Sequence, residues 1–67
     1  MDQYEFTLEG HIHERWFLEL PDFTARHLSN GTTLLEGPVV DQAALYGVIM
    51  ILRDSGLTLL SCRRLES

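Results

Sequence analysis

The histidines of the N-terminal half have the residue type and the spacing that metal binding requires. His11 and His13 flank Ile12, Glu14 follows directly, and His27 lies further along the chain. On a strand, His11 and His13 point to the same side, as two ligands of one metal ion must. The His-x-His spacing is nevertheless a weak signal, and no further spacing supports a zinc motif. We interpret these imidazoles as solvated surface groups and expect no metal and no cofactor.

Nucleophilic and acid–base catalysis are the other chemistry to weigh. Cys62 would be a nucleophile if His27 lay beside it with a carboxylate behind. It alternates with Leu60, however, and is better interpreted as a small buried apolar side chain. The carboxylates available for acid–base catalysis are Glu9, Glu14, Glu19 and Glu36. Acidic residues at this density normally form a solvated face, so we expect no catalytic residue and no enzymatic activity.

Charge and motif content argue against nucleic acid as a partner. The chain carries 10 acidic and 5 basic residues, and its formal net charge is -5 at pH 7. It therefore has no general attraction for phosphate backbones, and the pair Arg63 and Arg64 is typical of a solvated strand end. Trp16 and Phe17 are more typical of a core than of a base-stacking platform. No glycine-rich phosphate loop occurs either.

The length of the chain limits what a single copy can bury. Its 67 residues make one small α+β domain, residues 1–67, whose own core rarely contributes more than about 3–5 kcal/mol. The single cysteine excludes an intrachain disulfide. We therefore expect a homodimer or a higher homo-oligomer. With no signal-peptide pattern, no long apolar run and a free thiol, we expect a cytoplasmic protein without a membrane partner.

The element that organises the chain is a helix over residues 41–55. Asp41 is its natural N-cap, and Gly56 at C′ predicts a Schellman stop with an apolar contact between Leu52 and Leu57. Four large apolar residues share one face at helical spacing: Leu45, Val48, Ile49 and Leu52. That face must be covered by the rest of the domain.

Strands account for most of the remaining chain. Residues 3–12 alternate as a half-buried strand, residues 23–29 and 32–37 form a hairpin about Asn30 and Gly31, and residues 57–65 form the last strand. Residues 13–20 fit a helix or a strand, and we favour a short helix because Leu-Pro-Asp follows. The order β-α-β-β-α-β predicts a ferredoxin-like fold, a four-stranded antiparallel sheet with two helices on one face. The alternative is a four-stranded meander with a single helix, residues 41–55.

The C-terminal half resembles a recurring group of small, uncharacterised bacterial proteins of unknown function. The shared pattern runs Gly-Pro-x-x-Asp-Gln-Ala-Ala-Leu, then Arg-Asp-x-Gly-Leu-x-Leu-Leu-Ser, and residues 41–45 are its most specific part. Residues 48–52 differ, because five apolar residues replace the polar and basic residues of the group. The resemblance implies a helix followed by a strand and a bacterial cytoplasmic setting. It implies no activity, cofactor or catalytic residue.

These observations predict a non-enzymatic, self-associating protein-interaction module. Tyr46 and Met50 lie opposite the apolar stripe of the helix, and together with Ile51 they form the predicted interface. The uncovered face of the sheet is a second candidate surface, and a different protein is a further candidate partner. The alternative function is a small-ligand-binding regulatory domain of ferredoxin-like type, which rests on fold analogy alone.

Overall fold

Alternating apolar residues near the N-terminus form one of the two inner strands of the sheet. A computed structural model describes residues 2–65. Its elements are β1 (Asp2–Glu9), a 3₁₀ helix (Glu14–Phe17), β2 (Thr24–His27), β3 (Thr32–Val39), α1 (Gln42–Asp54) and β4 (Leu59–Leu65). The four strands form one antiparallel sheet in the order β2-β3-β1-β4.

The face of the sheet under α1 follows from the period-2 alternation of β1 and β3. Phe6 and Leu8 are fully buried in β1, and their register partners in β3, Leu35 and Thr33, are fully buried too. The core is completed by four residues from the 3₁₀ region and α1: Phe17, Leu20, Val48 and Leu52. The half-buried strand predicted over residues 3–12 is therefore confirmed as far as Glu9, and residues 10–12 lie beyond its end.

The ferredoxin-like prediction is wrong, and the four-stranded, single-helix alternative is correct. Residues 13–20 form only one short 3₁₀ helix, followed by turns in which Leu20 N donates to Phe17 O and Phe23 N donates to Leu20 O. So few residues before a proline cannot repay the cost of nucleating an α-helix. The segment buries Phe17 and Leu20 and then returns to the sheet edge.

The predicted ends of α1 are both confirmed by the hydrogen bonds that close them. Asp41 Oδ1 accepts from Ala44 N at 2.8 Å, as an N-cap carboxylate does. At the other end Gly56 has φ +76°, and Leu57 N donates to Leu52 O at 3.1 Å. The left-handed backbone at Gly56 and this hydrogen bond are the features that define the Schellman motif.

The hairpin between β2 and β3 differs from the two-residue turn that Asn-Gly predicts. Of Asn30 and Gly31, only Gly31 has positive φ, and Leu28 N donates to Thr32 O, so the loop spans residues 29–31. The side chain of Asn30 accepts from Thr32 N at 3.2 Å. Asn30 stays outside the left-handed region, and the connection is a three-residue loop with glycine in its last position.

The aromatic side chain before β2 fixes where that edge strand sits. A methyl group at Gly37 would overlap the ring of Phe23, so the absence of a Cβ lets this ring lie directly on β3. Phe23 is also in contact with Phe6, with ring centroids 6.2 Å apart. Because Phe23 directly precedes Thr24, these two contacts fix the start of β2 against β3 and the core.

Candidate functional site

The histidine pair considered from its spacing, His11 and His13, is not the pair that the fold brings together. His11 stacks on His27 instead, with ring centroids 4.6 Å apart and an interplanar angle of 1°. His11 Nε2 donates to Leu28 O at 2.8 Å, and His27 Nε2 donates to Ile12 O at 2.9 Å. A carbonyl oxygen only accepts, so Nε2 of each ring carries a hydrogen. The two rings thus tie residues 11–12 to the β2–β3 hairpin.

His13 has a local role in the fold. Its Nδ1 accepts from Arg15 N at 3.0 Å, so it is the N-cap of the 3₁₀ helix. Across residues 2–65, no group of three or more metal-ligating side chains has the geometry of a metal site. The contact between His11 and His27 depends on how β2 pairs with β3, and no local spacing in the sequence indicates it.

Thr33 is the buried polar residue that anchors the same segment. It is fully buried, its Oγ1 donates to Gly10 O at 2.8 Å, and the same oxygen accepts from Ile12 N at 2.8 Å. These bonds replace the ladder bonds that β1 loses beyond Glu9. Residues 10–12 are therefore fixed to the β2–β3 hairpin by side-chain hydrogen bonds of Thr33 and His27, and by the bond from His11 to the hairpin backbone.

Cys62 is exposed, so the prediction of a buried cysteine is wrong. It lies in β4, an edge strand with no neighbour on its outer side, and this leaves residues 60–64 open to solvent. His27 belongs to β2 at the opposite edge, three strand spacings away or about 14 Å. The structure therefore does not bring a histidine base to Cys62.

Partial burial raises the pKa of the Cys62 thiol. The thiolate is the reactive form, so we expect iodoacetamide to alkylate the native protein at neutral pH more slowly than the urea-unfolded chain. Because the fold favours the neutral thiol, the free energy of unfolding should also fall as the pH rises above the ordinary thiol value. Alkylation rates against pH, with Cys62→Ser as the unreactive control, test this. Equal rates for folded and unfolded protein would contradict it.

The predicted glutamates do not assemble an acid–base pair of the kind considered from the sequence. Glu9, Glu14 and Glu19 are exposed at separate positions. Glu36 instead lies opposite Glu5 in the β1–β3 register, on the sheet face away from α1. Arg63 Nη2 donates to Glu5 Oε1 at 2.9 Å from the other side. The arginine offsets the repulsion between two like charges placed directly across strands.

Of the three residues predicted as an interface, the structure exposes two and packs the third against the core. Tyr46 is 59% exposed and Met50 is 49% exposed, one helical turn apart on the outer side of α1. Gly47 lies between them, and no atom is within 4 Å of the place where its Cβ would be. Ile51 is half-buried and packs against the core. We call Tyr46, Gly47 and Met50 the outer α1 face.

A concave site that the sequence did not indicate lies between the 3₁₀ helix and β2. This β2 groove has a volume of about 570 Å³ and five large apolar lining residues: Phe17, Leu18, Leu20, Pro21 and Phe23. Its polar rim is formed by His13, Glu14 and Arg15, and the Arg15 guanidinium lies 5.6 Å from the centroid of the Trp16 ring. The volume is within the range of sites that bind small molecules or side chains.

The fold and these surfaces define the class: a small α+β domain with one helix on one face of a four-stranded antiparallel sheet. A family model described as Domain of unknown function (DUF8691) matches residues 3–63, and the chain belongs to this family. Comparisons with curated proteins and with solved structures gave no match. In the part of the chain that the structure describes, α1 is too short to cross a membrane and no other helix is longer.

Proposed function

We propose that the protein is a non-enzymatic module that associates with a second copy of itself through the outer α1 face. Among residues 2–65, six large apolar side chains are at least 45% exposed: Trp16, Leu18, Val40, Tyr46, Met50 and Leu60. In so short a chain, this apolar surface favours burial between copies. The outer α1 face differs from the rest of this apolar surface because it also contains Gly47, a helix-interior glycine that nothing in a single copy requires.

Gly47 carries the proposal. A glycine in a helix interior costs about 1 kcal/mol relative to alanine. Gly47 lies in the middle of α1 with an ordinary helical backbone, and open space surrounds its missing Cβ. Neither conformation nor packing within one copy requires glycine there. The close approach of a second backbone would require glycine at this position, and Tyr46 and Met50 would flank such a contact.

A second copy suits this face because antiparallel packing of α1 about a twofold axis at Gly47 opposes the two helix dipoles. Each copy then contributes the same patch to the contact.

The small-ligand alternative loses its basis because it rested on a ferredoxin-like fold. The proposal also includes a bacterial cytoplasmic setting, which is supported by the resemblance of the C-terminal half and, for the cytoplasm, by the free thiol of Cys62.

Substitution of Gly47 by alanine separates the two explanations of this glycine. We expect Gly47→Ala to raise the free energy of unfolding of the single copy by about 0.5–1 kcal/mol, because alanine suits a helix and the space is open. The same methyl group should hold two helices apart and weaken self-association about tenfold or more. Urea unfolding at high dilution and sedimentation equilibrium measure the two effects.

Arg26→Ala is the matched control, because Arg26 lies on the sheet face that α1 does not cover. It should leave the association constant unchanged. If Gly47→Ala stabilises the chain and self-association is as strong as before, α1 is not the interface.

A further inference from the structure

We propose that the free edge of β2 is a second, separate binding site, which takes an extended peptide segment of another protein as an added strand. The peptide carries a bulky apolar residue next to an acidic one. The site lies on β2 and does not depend on association through α1.

The backbone of β2 has the unpaired groups that such a peptide needs. β2 is the last strand on its side of the sheet. Leu28 N donates to Thr32 O, and hydrogen-bonded positions alternate along an antiparallel pair, so Arg26 and Thr24 also direct their N–H and C=O groups at β3. Ala25 and His27 therefore direct theirs at the free edge. Backbone groups aligned in this way recognise another backbone.

Cavities flank this edge on both faces of the sheet, and Ala25 lines all three of them. The β2 groove and a neighbouring cavity of about 290 Å³ lie on the α1 side, where the side chains of Ala25 and His27 point. A cavity of about 230 Å³ lies on the other face, lined by Thr24, Arg26, Leu34 and Glu36 besides Ala25. Successive side chains of an added strand point to opposite faces, so both sides receive one.

The two faces of the sheet differ in polarity at this edge, and this difference determines which side chains the peptide needs. The residue opposite Ala25 enters the apolar β2 groove, between Phe17 and Phe23. The next residue lies on the other face beside Arg26, whose guanidinium makes no ion pair within residues 2–65. Glu36 lines the same cavity, and Arg26 lies nearer the free edge. An acidic side chain at this position gains a charge-assisted hydrogen bond from the arginine.

The opposite edge of the sheet is less suited to strand addition. β4 has a register shift opposite Thr7 and Leu8, and it carries Arg63 and Arg64. Bulges and charges of this kind are the devices by which edge strands resist pairing. β2 has no such irregularity in its pairing with β3. An extended peptide therefore adds to β2.

The probe for this site is a capped synthetic peptide, Thr-Val-Phe-Asp-Val-Thr, added to isotope-labelled protein. We expect slowed amide exchange at Ala25 and His27 and chemical-shift changes at Phe17 and Phe23. Ala25→Pro should weaken binding about tenfold or more, since it removes an edge N–H and blocks the approach of the peptide. The fold should survive, because that N–H makes no bond to β3.

A charge exchange gives a second readout that does not rely on proline. Arg26→Glu should weaken binding of the aspartate peptide about fivefold and favour the peptide with lysine in its place. Arg64→Glu makes the same charge change at the opposite edge and should leave both affinities as they are. The proposal is overturned if neither peptide binds, or if Ala25→Pro folds and binds as tightly as the native protein. Equal binding by a capped single phenylalanine would also overturn it, since the groove would then be a small-molecule site.

Discussion

Thr33→Val should lower the free energy of unfolding by about 2–3 kcal/mol, because Gly10 O and Ile12 N each lose their hydrogen-bond partner. The two side chains have nearly the same shape, so the change tests the hydroxyl and leaves the packing in place. The chain has little stability to lose, since a core of this size rarely supplies more than about 3–5 kcal/mol. Urea unfolding at one fixed protein concentration measures the effect.

Thr7→Val is the matched control for this substitution. Thr7 also belongs to the sheet, but its side chain lies on the face away from α1 and is half-exposed. We expect a change within about 0.5 kcal/mol there. Equal effects of the two substitutions would contradict the role given to Thr33. The midpoint of Thr33→Val should shift with little change in the denaturant slope.

The double substitution Tyr46→Ala with Met50→Ala should raise the dissociation constant of self-association at least about 100-fold, because exposed aromatic and methionine side chains dominate interface energetics. Neither side chain belongs to the buried core, and alanine favours a helix, so the single copy should fold as before. Sedimentation equilibrium over a range of concentrations measures the constant.

Leu18→Ala is the control for a general loss of apolar surface. Leu18 is 78% exposed, but it lies at the end of the 3₁₀ helix and is not part of the outer α1 face. Its removal should leave the dissociation constant within about twofold of the native value. If Leu18→Ala weakens association as much as the double substitution, the contact is not specific to the outer α1 face.

Local signals explain why the bounds of α1 were predictable. The Asp41 cap involves a backbone amide three residues away, and the Gly56 stop involves the preceding helical turn. Nothing distant has to be known for either one. The same is true of the alternation in β1, whose buried face follows from the residue types alone.

The errors at Cys62 and at the histidines concern features that depend on distant pairing. The alternation of Cys62 with Leu60 predicted a buried thiol, but the sheet order puts β4 at an edge and exposes Cys62. The stacking of His11 on His27 likewise depends on the β2–β3 register. Residues 13–20 have helical composition, but their length before Pro21 decides the outcome.

The mass of the native protein in solution tests the central claim most directly, because the outer α1 face is proposed as a contact between two copies. A single copy has a mass of 7.7 kDa. Sedimentation equilibrium should give twice this value at high concentration and a return towards 7.7 kDa on dilution, as expected for a reversible dimer. A folded species that stays at 7.7 kDa at every concentration would contradict the proposed function.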